Sequence, residues 1–162
     1  MHIQLKKAKD GRCTLACVRP DGSRTWAKVH PFFPVHDLTH CSVETVFAFR
    51  AAFFGLVASG WDLDRFDGPE GRRGLPPEAL WAECIVGLFD TERARDEPWA
   101  AAEFSEALSA ALAGIGVEPF RPVTDAELAR VRALRAELVA RWRALPRGET
   151  LEVPFPAVVV TA

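Results

Sequence analysis

The sequence predicts an α+β fold, an N-terminal β-hairpin or small antiparallel sheet with about four α-helices around a buried central one. Three observations lead there. Residues 11–18 and 24–29 carry β-branched and apolar side chains on either side of Arg19-Pro20-Asp21-Gly22-Ser23, a composition that turns one strand back on another. Val46 to Ala58 is apolar on nearly every side, as in a helix with no face left for water. Thr124-Asp125-Ala126-Glu127 is a capping box, in which side chains satisfy the free amides at a helix start.

The remaining elements follow in order. Ile3 and Leu5 alternate with polar neighbours, so His2 to Leu5 adds a short strand. Pro31 and Pro34 bend the chain, because the residue before a proline avoids helical angles. A long helix is expected from about Pro34 or Asp37 to Ser59, with Gly60 as its stop. Residues 62–75 are rich in aspartate, glycine and proline and read as a loop long enough to form a lid. A helix fits Pro77 to Asp90, and another Glu97 to Leu112 after an Asp96 cap. The capping-box helix runs to about Leu145, with Leu128, Val131, Leu134, Leu138 and Trp142 on its apolar side. Thr150 to Val160 alternates and then becomes β-branched, while Pro154 and Pro156 mark it as an edge strand closing the sheet.

Length and charge limit what such a chain does. The 162 residues predict a single domain, 1–162, with ample core. A net charge of -2 argues against whole-surface attraction to nucleic acid or to anionic membrane. The apolar stretch is shorter than the ~20 residues needed to span a bilayer and contains Arg50, so no membrane partner is expected. Lys6, Lys7 and Lys9 are not followed by the apolar run of a secretory signal, which predicts a cytoplasmic protein. Cys13, Cys17, Cys41 and Cys84 read as reduced core thiols, Cys13 and Cys17 lying ~13 Å apart along one strand. Arginine outnumbers lysine 16 to 4 and tyrosine is absent, a bias expected of a GC-rich bacterial genome.

The chemistry-bearing feature is a histidine cluster, His30, His36 and His40, in the run leading to Glu44. On a helix of ~100° per residue, positions 36, 40 and 44 fall within an arc of ~80°. His36, His40 and Glu44 would then converge as metal ligands for zinc, iron or manganese, with Asp37 as acid/base or as orienter of a histidine. The His36-His40 spacing is that of the His-Glu-x-x-His helix of zinc proteases, but Asp37 stands where those have glutamate. Glu83 sits among Trp81, Ala82, Cys84, Ile85 and Val86, where a carboxylate needs a partner, which makes it a further metal ligand or the partner of an arginine such as Arg50. Glu78 and Glu92 lie nearer the helix ends and are weaker candidates.

His36-Asp37-x-x-His40 resembles the His-Asp-x-x-His motif of a metal-dependent protein family of ubiquinone biosynthesis. There both histidines, the aspartate and a glutamate about a dozen residues further on are implicated in holding the metal; here Ala51, Ala52 and Phe53 stand at that later position. The hairpin followed by His-Asp-Leu-x-His-x-x-x-Glu and Phe-Gly-Leu-Val-Ala-x-Gly-Trp also resembles an uncharacterised group of bacterial proteins, which implies no activity.

Two functional classes follow. In one, the chain binds a divalent metal and performs hydrolytic or Lewis-acid chemistry on a small molecule. In the other, Asp37 caps the helix, His36 precedes it, His40 and Glu44 form an ordinary pair, and the chain is a non-enzymatic interaction or homo-oligomerisation module. Its surface would be the C-terminal helix with the edge strand. Arg121 to Arg147 holds seven arginines and a net charge of +4, leaving -6 elsewhere; spread around a helix they read as a solvated face, and no nucleic-acid motif accompanies them.

Overall fold

The computed structural model describes residues 1–67, 71 and 74–156. Strands β1 (His2–Lys7), β2 (Cys13–Val18), β3 (Arg24–Val29) and β4 (Thr150–Pro154) form one antiparallel sheet in the order β3-β2-β1-β4. Strand periodicity sets its buried face. Ile3 pairs with Cys17 and Val153, and Leu5 with Leu15 and Leu151, so one side of the pleat is a continuous apolar layer. The same alternation places Cys13 and Cys17 in the core as free thiols.

Helices α1 (Phe33–Phe47), α2 (Phe53–Ala58), α3 (Pro77–Arg95), α4 (Ala101–Ala113) and α5 (Asp125–Ala144) account for the rest, with a 3₁₀ turn at Leu63–Phe66. Leu38 and Cys41 of α1 and Leu138, Val139 and Trp142 of α5 pack on the sheet. Val43 and Phe47 at the far end of α1 pack instead with Trp81, Ile85 and Phe89 of α3 and Phe104 and Leu108 of α4. Between these two cores residues 37–44 of α1 are closed to water, and Asp37, Thr39, His40, Ser42 and Glu44 are buried with its apolar residues. None of the described helices is long and apolar enough to cross a membrane.

The expected single helix from Pro34 to Ser59 is two. α1 ends at Ala48, whose φ of 55° is left-handed, and the amides of Ala48 and Phe49 close back on the Glu44 carbonyl. Two carboxylates hold the break. Glu44 accepts from the amides of Phe54 and Gly55 at 3.1 and 3.0 Å, and Glu78 accepts from those of Arg50 and Ala51. Gly55 lets the second helix approach the break, since a Cβ there would stand 2.4 Å from the Arg50 carbonyl oxygen.

Other boundaries shift for identifiable reasons. α3 outruns Asp90 to Arg95 because Glu92 is buried, accepting from Arg132 and from the Trp99 amide. Asp96 is therefore not the start of α4 but the left-handed end of α3, and Asp125 receives the Ala101 amide near the start of α4. The Thr124 capping box opens α5 as expected, and Lys7 donates to the Trp142 and Leu145 carbonyls at its other end. β4 pairs with β1 as the closing edge strand, and the remainder of the expected strand, 157–160, lies outside the described residues.

The break makes a stability prediction. Gly55→Ala should lower unfolding free energy by about 1–3 kcal/mol, because the methyl must displace backbone. Gly87→Ala, on the exposed side of α3 with nothing within 4 Å of the added methyl, should raise it by about 0.4–1 kcal/mol. Urea denaturation of the two variants reads both signs.

Candidate metal centre

Pro34 sits in the first turn of α1, where its missing amide costs nothing, so the helix begins early enough to include His36. One turn on, His40 follows on the same face, and the two rings stack edge-on with centroids 4.9 Å apart. α3 packs beside α1 and brings Glu83 to them. Donor atoms of His36, His40 and Glu83 all lie within 4.8 Å of one another, and His40 Nε2 is 3.4 Å from Glu83 Oε1. Two donors on one zinc-sized ion are each ~2 Å from it, so a small side-chain rotation closes this group on a single cation.

Each imidazole is backed by a carboxylate. His36 Nδ1 lies 3.0 Å from Asp90 Oδ2, which leaves Nε2 as its unengaged nitrogen. Burial pushes the Asp90 carboxyl up, but the His36 hydrogen bond and the charges of His36, Arg93 and Arg135 outweigh that and hold it below the ordinary value. His40 Nδ1 faces Glu44 Oε1 at 3.5 Å, too long for a hydrogen bond, and this nitrogen has no other partner. Burial disfavours the charged imidazole, yet Glu44, Glu83 and Asp37 together hold the His40 pKa above its usual value. Glu44 itself is raised by desolvation, against the pull of His40 and the two α2 amides.

Asp37 is buried with Oδ2 unpartnered, and desolvation pushes its pKa up to about 6 against the opposing charges of His40 and His36. It lines the same cavity as the two histidines and Glu83. That cavity holds about 700 Å³ between the β2–β3 face, α1, α3 and the 3₁₀ turn. Its polar end is the His36, His40 and Glu83 group with Asp37; its walls include Leu15, Val29, Phe53, Phe66, Leu80 and Ile115. The 3₁₀ turn is tied to the sheet by the Leu63 amide on Thr25 Oγ1, and the chain leading into it by Arg19, which donates to the Val57 carbonyl of α2 and to the Trp61 carbonyl.

The expected ligands are thus divided. His36, His40 and Glu83 come together; Glu44 is spent on the α1–α2 break and stands behind His40, on the side away from Glu83. Glu83 is not the buried carboxylate its neighbours suggested, for its side chain is 49% exposed, and Arg50 is not its partner. Of the expected lid, Leu63, Phe66, Asp67, Gly71 and Leu75 line the cavity, while 68–70, 72 and 73 lie outside the described residues. Asp90 was missed, because nothing local joins it to a histidine 54 residues earlier; its position seven residues after Glu83, two turns along one helix face, was the available signal. No protein-family model, curated protein or solved structure matches the chain.

Cys84 lines the cavity and is partly exposed, whereas Cys13, Cys17 and Cys41 are buried. A thiol-reactive chromogenic disulfide should therefore modify one thiol of the native protein rapidly and all four only after denaturation. Fast modification of two or more native thiols would contradict the packing described.

Proposed function

We propose that the chain binds one divalent cation through His36, His40 and Glu83 and performs hydrolytic or related Lewis-acid chemistry on a small molecule held in the cavity. The observation that carries this reading is the convergence of three donor groups at the polar end of a cavity, with one imidazole oriented by a carboxylate. Two imidazoles and a carboxylate suit zinc, iron or manganese and leave coordination positions open. The cation supplies Lewis acidity toward a substrate oxygen or a water.

The chain's own residues do the remaining work. Asp90 fixes the His36 ring, and Glu44 holds the negative charge behind His40. Asp37, buried beside the two histidines with Oδ2 unpartnered, carries the proton. The apolar walls favour a substrate with a carbon body and an oxygen-bearing head.

Elemental analysis and zinc titration of chelator-treated protein test the premise. One ion per chain is expected, with binding lost in His40→Ala and Glu83→Gln and weakened roughly 10- to 100-fold in Asp90→Asn. Protein that takes up no zinc, iron or manganese has a structural histidine cluster, and the interaction-module reading then stands, favoured by the direct contact of His40 with Glu83. For the chemistry, the metal-loaded protein should hydrolyse an activated aryl ester. Asp37→Asn should lower turnover while metal content stays at one; unchanged turnover removes Asp37 from the reaction.

A further inference from the structure

A second concavity, of about 200 Å³, lies where α1, α3 and α5 meet. Arg132, Arg135, Val139 and Arg143 recur along one stripe of α5 at helical spacing, and Arg93 reaches in from the last turn of α3. Four arginines thus line one small space, much of its surface formed by their carbon stems and the two valines. The carboxylates paired with these arginines are Asp90 and Glu92. Glu92 is taken up by Arg132 at 2.5 Å. Asp90 is shared among His36, Arg93 at 3.4 Å and Arg135 at 3.8 Å. Arg143 has no carboxylate within ion-pair distance among the described residues.

Four cations against two carboxylates leave the concavity positive. Burial holds the Arg135 guanidinium below arginine's ordinary value, while Asp90 and Glu92 pull it up against Arg93 and Arg143. Its side chain is 14% exposed, and its Nε donates to Thr39 Oγ1, so it is fixed rather than free to swing into water. Val35 and Val139 form an apolar floor, and low-dielectric walls focus the field of the charges above them.

We propose that this concavity, with Arg93, Arg135 and Arg143 around a floor of Val35 and Val139, binds a phosphate-class oxyanion. Planar guanidinium forks match the geometry of phosphate oxygens and bind them in pairs. Arg132, paired with Glu92, positions the rim and contributes charge. The proposal is independent of any metal at His36 and His40.

The metal-free 162-residue chain is titrated with inorganic phosphate, against sodium chloride at matched ionic strength, following the unfolding midpoint. A saturable rise beyond the chloride control is expected. Arg143→Ala should weaken phosphate at least fivefold, and Arg93→Ala/Arg143→Ala should remove the saturable rise; both arginines are exposed, so the fold should survive. Arg147→Ala, outside the concavity, should change nothing. Co-sedimentation with phosphatidic acid vesicles, lost in the same double variant, would identify the phosphate as lipid-borne, and its absence would identify a soluble one. No saturable effect beyond chloride, or an equal effect in the double variant, overturns the proposal.

Discussion

A fully buried carboxylate is tolerated only where donors meet its oxygens, and Glu44 meets that condition at the point where α1 stops. Its two oxygens receive the opening amides of α2, so the chain turns there instead of continuing. The same side chain lies behind His40 and places a negative charge beside that ring. Phe53, at the start of α2, in turn packs its ring 5.5 Å from His40 and forms part of the cavity wall. The end of one helix, the start of the next and the environment of one histidine rest on this single group.

Asp90 plays the corresponding part on the other side. Through His36 it faces the cavity, and through Arg93 and Arg135 it faces the arginine-lined concavity, so a single carboxylate separates a cluster of donors from a cluster of cations. Both features depend on the lateral packing of α1, α3 and α5, and neither could survive a change of register between those helices.

Much of this was legible in the residues. The hairpin was announced by Pro20-Asp21-Gly22 and the start of α5 by its capping box, because turn and cap chemistry are local and act at fixed offsets. His36 and His40 were legible for the same reason, their spacing being that of one helical turn. The break after Phe47 was not: no proline or glycine marks Ala48 to Ala52, and the interactions that enforce it come from Glu44 and from Glu78, about thirty residues away in sequence. Glu83 was singled out on the expectation of burial, yet it is its place beside His40, at a half-exposed mouth, that matters. The stripe of Arg132, Arg135 and Arg143 stands at helical spacing within one helix, but its meeting with Arg93, and that of Asp90 with His36, needed the packing of α3 against its neighbours, which periodicity within one helix does not reveal.

The sheet order carries a consequence for the sequence of folding events. β1 lies between β2, its neighbour along the chain, and β4, whose Glu152 bonds Gln4 across 148 residues. The hairpins β1–β2 and β2–β3 close short loops, whereas the β1–β4 pairing closes a loop that is nearly the whole described chain. Until β4 arrives, β1 presents an open edge with Ile3 and Leu5 on its apolar face, and Lys7 awaits the end of α5 that it will cap. In a growing chain every helix is made before that edge can be sealed, and the interval in which it stands open is when the chain is most exposed to pairing with another copy of itself.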